Sequence, residues 1–412
     1  MVKKRTPTLK GRENESKMAF PKVEIQVQNG QLGQTEGTED SVAGLVCTGV
    51  AIVDKIAINE PKQIFGVKDA EALGFSDAVN PEMYAQIVDF YSQAGEGAEL
   101  WILIQSEATL MASILDVNNA NATVLLDAAQ GRIRILGITR KADGAYAPVY
   151  ADGIDPDVIT SIDKAQELAE AYAAAYKPLR VVIGGRDYQG VIADLADLTE
   201  RDDNRVAVLL AGKGEGSLEA CVGLALGRLA AIPVQRKIAR VKDGDLGLVS
   251  AYLSDGVTTI DELSEAQLEA IHNKGYIVLR KYFGRNGYFF TDDPTATGAD
   301  DDYNTISRGR VIDKAISLAY TTYVNELQDD VELDPATGRL EAGVIKSYQA
   351  LIKRAIEQNM LADGEISSVS VVIDPLQDVL TSNKVEVTVN ILPKGYSSVI
   401  VVKLGFTNPA NS

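Results

Sequence analysis

The sequence predicts an α/β fold: a sandwich-type body with a largely parallel sheet, then a C-terminal α+β region, with extended strand arms at both ends. Three observations carry this expectation. Between Leu45 and Val234, short apolar runs alternate with stretches of helical period, the pattern of strands buried on both faces and joined by crossover helices. Past Asp243 that alternation stops, and hairpin, helix and strand signals follow in a different order. At each end a strand-like segment is set apart by a linker of Gly, Pro or polar residues. The expected division is 1–40 for an N-terminal arm and linker, 41–242 for an α/β domain, 243–391 for a second core domain and 392–412 for a C-terminal strand arm.

Taken in order, residues 1–17 carry six basic side chains (Lys3, Lys4, Arg5, Lys10, Arg12, Lys17) against Glu13 and Glu15, a basic tail on a chain whose net charge is −18. Val23, Ile25 and Val27 then alternate with Glu24, Gln26 and Gln28, the period of a half-buried strand. A linker over 29–40 follows, with Gly30, Gly33 and Gly37. Strands are expected at 45–52, 100–104, 133–138, 180–183 and 206–210, and helices at 81–93, 162–176, 188–198 and 218–230, each with apolar residues three and four apart. In the second region a helix is expected at 264–272. Two apolar runs, 276–283 and 288–291, then flank Gly284-Arg285-Asn286-Gly287, a hairpin signal because Asn and Gly tolerate positive φ. Helices at 306–327 and 342–361 carry apolar stripes, Ile312, Ile316, Tyr320, Tyr323 and Leu327 on the first. Residues 384–391 alternate without exception, and 398–406 form a last apolar strand.

Composition narrows the function classes. A 412-residue chain with 46% hydrophobic and 24% charged residues matches a folded, soluble protein of two to three domains. The charge of −18 disfavours nucleic acid, whose phosphates need a basic surface. No run approaches the ~20 apolar residues that cross a bilayer, and the N-terminus lacks the apolar middle of a signal peptide, so direct membrane insertion is not expected. The only cysteines, Cys47 and Cys221, exclude a disulfide framework, and neither has a basic neighbour close in sequence to activate it. His272 is the single histidine; near the end of its helix it favourably meets the C-terminal dipole. No Gly-x-Ser-x-Gly or His-Glu-x-x-His motif is present, so no catalytic residues, metal or cofactor are expected.

Two features keep alternatives open. Gly212-Lys213-Gly214-Glu215-Gly216-Ser217 follows a strand and precedes a helix, where amides hold phosphate in some α/β proteins. It fits neither phosphate-loop nor dinucleotide spacing, and Glu215 would repel phosphate; a strand-to-helix turn reads better, as it does for Gly184-Gly185-Arg186-Asp187. The rival reading it leaves is an α/β ligand-binding protein or enzyme using residues 212–217. Asp292, Asp293, Asp300, Asp301 and Asp302 would serve a divalent cation, the dipole of the following helix, or charged contacts with a neighbouring subunit, the last favoured together with Arg308, Arg310 and Lys314.

The stretch from Gly275 to Asp293, a strand, Gly-rich turn and strand, continues through an acidic loop into a helix opening on Ile306, Arg308, Arg310 and Val311, with Gly309 between the arginines. With the terminal pair 384–391 and 398–406, joined through Leu392, Pro393, Lys394 and Gly395, it resembles contractile tail sheath proteins of bacteriophages and phage-tail-like injection systems. The resemblance is best over about 217–406. It implies a structural subunit without enzymatic activity, forming hexameric rings stacked helically around an inner tail tube, with baseplate and tail terminator proteins as further partners. It also implies assembly in the bacterial cytoplasm and residence in a virion tail or phage-tail-like particle. Terminal strands would insert into neighbours' sheets, with Val23, Ile25 and Val27 at one end and Ile400, Val402 and Leu404 at the other. Arg308, Arg310, Lys314 and the tail's Lys3, Lys4 and Arg5 would face acidic neighbours, Asp292, Asp293 and Asp300 to Asp302 among them. In contraction the bodies would move as rigid units while 29–40 and 392–397 absorb the change.

Overall fold

The computed structural model describes residues 39–402, all within one unit, Thr35–Ser412. Its centre is a seven-stranded sheet made of β1 (Ala43–Gly49), β2 (Lys62–Ile64), β3 (Leu100–Ser106), β4 (Ile135–Thr139), β5 (Arg180–Gly184), β6 (Val206–Leu209) and β7 (Tyr276–Ile277). The order across the sheet is β7-β6-β5-β4-β1-β3-β2. Every pairing is parallel except β2 with β3, which closes one edge. Every residue of β1, β4, β5 and β6 is buried, which is why these strands read as unbroken apolar runs. The five runs expected as strands are these central strands.

Helices cover both faces. α1 (Pro81–Ala94) starts on a proline, whose missing N–H costs nothing in a first turn. α2 (Pro156–Ala174) starts the same way, and its N-cap Asp155 accepts from the Asp157 amide. α3 (Val222–Ala231) lies against α1 so closely that a Cβ on Gly223 would stand 2.0 Å from the Gln86 carbonyl oxygen and one on Gly227 2.3 Å from that of Phe90. Gln86 bridges the pair, its side chain accepting from Gly223 N at 2.6 Å and donating to Ala220 O at 2.9 Å.

Residues 188–198 do not form the expected helix. They hold a loop with a short turn at Ile192–Asp194, in which Asp187 and Gly190 take positive φ and Tyr188, Leu195 and Leu198 reach the core as single anchors. Apolar residues three apart here reflect three separate insertions, not a helix face. The short helices Val67–Ala72, Met111–Leu115 and Ala122–Ala128, like β2, carry too little periodicity to be expected.

The run at 276–283 divides. Tyr276–Ile277 completes the large sheet beside β6, while β8 (Leu279–Arg280) pairs antiparallel with β9 (Phe289–Phe290), placing the Asn-Gly turn and a fully exposed Phe283 at the hairpin's tip. α4 (Glu265–Asn273) precedes it, with a capping box between Ser264 and Gln267. The hydrophobic core that begins at Val42 continues through Leu246, Leu253, Ile260, Leu268 and Ile271 to Ile306, so the boundary expected at 243 falls inside it.

Packing changes along α5 (Ile306–Tyr323), whose first residue belongs to the large core while Val311 and Ala315 belong to a second one. That second core joins α6 (Ala342–Ile356) to β10 (Ile366–Val372), an unexpected strand, through Ile352, Ile356, Met360, Ile366 and Val369. β10 pairs antiparallel with β11 (Thr388–Pro393), so the ladder starts four residues later than the alternation from Lys384 suggests.

Candidate functional site

In an open parallel sheet, ligands bind outside the carboxyl ends of strands where the order reverses. Here that place lies between β1 and β4, and the chain fills it. Thr48 Oγ1 accepts from Lys141 N at 2.8 Å and donates to Lys141 O at 2.7 Å. Just beyond, the buried Arg140 reaches Asp157 at 3.4 Å and lies 4.1 Å over the Tyr146 ring. Tyr146 OH donates to Asp155 at 2.6 Å, and Arg186 pairs with that same carboxylate. Asp157 also accepts from the Met111 and Ala112 amides. Each charge there is partnered from within the chain.

The lysine of the Gly-rich turn is paired as well. Lys213 Nζ stands 2.5 Å from Asp89 Oδ1, so the turn's own cation is spent on a carboxylate. Burial pushes the nearby Glu82 carboxyl up to about 7, against a hydrogen bond from Gln86 that lowers it, with the Glu219 charge adding to the rise. The unfolded chain releases that proton near 4.3, so between these values the folded state holds a proton that the unfolded state has lost. Stability from this group therefore falls as pH rises, and the penalty is complete above 7. Glu82→Gln should raise stability by ~1–2 kcal/mol at pH 8 and leave it unchanged at pH 4, as read by denaturant titration. Cys47 and Cys221 are buried and free, and burial drives both thiols far up.

The acidic and basic residues expected at a subunit interface divide into two sets. Arg310, Lys314, Asp292 and Asp293 are engaged within the chain, and Arg310 and Asp293 are buried in it. Asp293 is fully buried; its carbonyl accepts from Ile306 N and its Oδ2 from Ser307 N, both at 2.9 Å, starting α5. Lys237 Nζ stands 2.6 Å from Asp292 and 3.5 Å from Asp293. Burial and the Asp292 charge push the Asp293 carboxyl up. Arg310 donates to the carbonyls of Asp40 at 3.2 Å and Ile232 at 3.4 Å, and Lys314 pairs with Asp40 at 2.9 Å and Glu365 at 2.8 Å. Asp301 accepts from Asn204 Nδ2 at 2.9 Å and from Tyr303 N at 2.6 Å, closing its own loop. Asp300 and Asp302 remain exposed, and among the described residues the Arg308 side chain reaches Asn304 Oδ1, at 3.4 Å. Among the described residues no three His, Cys, Asp or Glu side chains are placed to hold a metal ion.

The structure also shows a network that sequence reasoning missed. Arg180 on β5 donates to Asp313 Oδ2 at 2.6 Å and Oδ1 at 3.2 Å, to Gly309 O at 3.0 Å and to Asn204 O at 2.8 Å; Arg205 adds a contact to Asp313 at 3.1 Å. A Cβ on Gly309 would lie 2.2 Å from Arg180 Cζ, so the glycine between the two helix arginines makes room for a third arginine from the sheet. The signal was present, an Arg opening an apolar strand and an Asp within a helix, but nothing in the spacing joins them.

Of the strand-pairing residues, Val23, Ile25, Val27 and Leu404 lie outside the described residues, as do Lys3, Lys4 and Arg5. Ile400 and Val402 are described, outside any strand; Val399 to Val402 are 69–81% exposed. The linker expected over 392–397 is shorter, because Leu392 and Pro393 belong to β11 and Tyr396 is fastened, its OH donating to Gln235 O at 2.6 Å. Among the described residues β10 and β11 pair only with each other, leaving the outer edge of each without a strand. Open strand edges and exposed apolar segments are features that strand addition from another chain would cover.

No curated protein matches the chain by sequence. Among solved structures, the helical sheath of the anti-feeding prophage in its contracted state superposes with a TM-score of 0.62 at 15% identity, over 94% of this chain and 99% of that one. The sheath of an extracellular contractile injection system, the PVC sheath complex in its contracted state, gives 0.59 at 12% identity over 97% and 100%. A sheath tail protein from Desulfitobacterium hafniense gives 0.50 at 9% identity over 90% and 100%. These likenesses establish the α/β sheath fold along nearly the whole chain. The family models described as "DUF2586, N-terminal domain" and "DUF2586, C-terminal domain" match residues 20–294 and 302–411, and the chain belongs to the DUF2586 family.

Proposed function

We propose that this chain is the structural subunit of a contractile tail sheath, polymerising as stacked hexameric rings around an inner tube and shortening to drive that tube through a target envelope. The observation that carries the reading is the superposition on sheath proteins over 94% and 97% of the chain, each of those proteins being covered almost completely. The exposed Val399–Val402 segment and the open edges of β10 and β11 support it, because they suit a chain completed by its neighbours. In this reading residues 1–40, and those that follow β11, are arms. Val23, Ile25 and Val27 of one copy and Ile400, Val402 and Leu404 of another add strands to the β10–β11 sheet of a third. The other partners are an inner tube protein, a baseplate and a tail terminator, met first in the bacterial cytoplasm and then in the finished particle. The work is mechanical: two packings of many identical subunits differ in free energy, and passing between them needs no nucleotide. The enzyme reading loses support because the chain's own side chains fill the strand-end crevice and Lys213 of the Gly-rich turn is paired with Asp89.

Negative-stain electron microscopy of the expressed protein tests this directly: tubes or stacked rings are expected, and a small soluble oligomer under all conditions overturns it. Of the charged residues, Arg308, Asp300 and Asp302 keep their place as interface candidates. Arg308→Glu should cut the sedimentable fraction severalfold with an unchanged melting temperature, whereas Arg310→Glu should unfold the chain, since it sets a carboxylate against the Asp40 and Ile232 carbonyls. Normal tubes from Arg308→Glu would remove that residue from the interface.

A further inference from the structure

The places where the two arms meet the body, Asp40 and Tyr396, are far apart in sequence, yet both are fastened to the first turns of α5. On the N-terminal side the contact is direct: Arg310 donates to the Asp40 carbonyl at 3.2 Å and Lys314 Nζ stands 2.9 Å from the Asp40 carboxylate. On the C-terminal side it passes through two groups. Tyr396 OH donates to Gln235 O at 2.6 Å, and the Tyr396 ring faces Lys237 Nζ at 5.1 Å from its centroid. Lys237 is held by Asp292 at 2.6 Å and Asp293 at 3.5 Å, and Asp293 accepts from Ser307 N at 2.9 Å. Ser307, Arg310 and Lys314 are spaced three and four apart and share one face of the helix.

Burial shows where the C-terminal arm becomes free. Tyr396 is partly buried between exposed Gly395 and Ser397, and every residue from Ser397 to Val402 is exposed. The pin is therefore one residue wide. It is strong for its size, because a desolvated lysine between two carboxylates and an aromatic face combines a charge-assisted hydrogen bond with a cation–π contact. Beside it lies a cavity of about 590 Å³ around Gly395 to Ser398, bordered by Arg236, Arg240 and Arg280, which leaves the chain room to turn.

We propose that the first turns of α5 are a shared anchor that couples the two arms, so that a shift at the root of one is passed to the root of the other through Asp40, Arg310, Ser307, Asp293, Lys237 and Tyr396. This rests on the reading above that the arms engage other copies, but the coupling belongs to the single subunit. Its warrant is a continuous chain of hydrogen bonds, ion pairs and one ring contact crossing a single rigid element. In a lattice it would let tension on one arm reposition the other without bending the sheet.

The test is hydrogen–deuterium exchange on the full-length chain, kept dilute so that it is unassembled, comparing wild type with Tyr396→Ala and Asp40→Ala. Tyr396→Ala should speed exchange of the 306–310 amides about tenfold, the loss expected when a hydrogen bond to a charged group is loosened, and should also speed exchange at 40–44. Asp40→Ala should speed exchange at 394–398. Asp40→Glu should restore the wild-type rate there. Peptides of β3 and β5 report whether the body is intact. If Tyr396→Ala disturbs them, Tyr396→Phe replaces it; this keeps the ring against Lys237, removes the bond to Gln235, and should give a smaller effect at 40–44. Effects confined to the substituted end overturn the coupling even if the wild-type protein forms tubes. A wild-type protein that forms no tubes overturns the sheath reading and leaves the exchange result standing.

Discussion

Removing residues 1–33 leaves a folded subunit that no longer forms tubes. The cut falls before Val42, the first described residue of the hydrophobic core, and before Ala43, the first residue of β1, so the sheet keeps all seven of its described strands. What goes is the segment carrying Val23, Ile25 and Val27, which at strand period would add about half a dozen backbone hydrogen bonds to a neighbour's open edge. At ~0.5–1.5 kcal/mol net for each bond, the loss per contact is ~3–9 kcal/mol, enough to abolish polymerisation at micromolar protein. Sedimentation and electron microscopy should show no polymer, while circular dichroism should show wild-type content and a melting temperature within a few degrees. Tubes of normal length from the truncated chain would end the strand-addition account; a chain that fails to fold would make the segment part of the body.

The second large effect is on stability. Asp313→Ala should destabilise the subunit by ~3–5 kcal/mol, because it strands a buried guanidinium. Arg180 has a side chain only 2% exposed, and Asp313 answers it at 2.6 Å and Arg205 at 3.1 Å. Without that carboxylate, two cations face each other in a site that Gly309 leaves just large enough for one. Replacing both partners, Arg180→Met with Asp313→Leu, should recover much of the loss, since apolar residues of similar size fill the same space without desolvating charge. Chemical denaturation measures both. A loss below 1 kcal/mol in Asp313→Ala would mean that Arg180 reaches water and the network is ornamental to stability.

The parts of this fold that were legible in the sequence are those where burial imposes a pattern on the residues themselves. Strands covered on both faces must be apolar throughout, so 180–183 and 206–210 stood out, and Pro81 stood at the expected start of α1; α2 begins at Pro156, six residues before the expected 162, because its first turns lack a clear apolar stripe. Residues 188–198 were misread because three anchors in a loop can imitate a helical stripe. Charges were the least legible. Arg310 and Lys314 lie on a helix face exactly as interface cations would, and only the fold reveals that Asp40 and Glu365, from opposite ends of the chain, occupy that face already. A side chain's type tells which chemistry it seeks, and its period tells which way it points. Neither tells whose surface it meets.

The Arg180–Asp313 pair also sets a timetable. Its members lie 133 residues apart, and synthesis from the N-terminus delivers the cation long before its counter-ion. Until α5 leaves the ribosome, the end of β5 must keep Arg180 in water, so that side of the sheet cannot close and the second core has no helix to form on. The exposed run from Val399 to Val402 is made later still, after β11. A nascent subunit thus finishes its body before it has the C-terminal run that the proposed strand addition would use, an order that would hold early polymers in check.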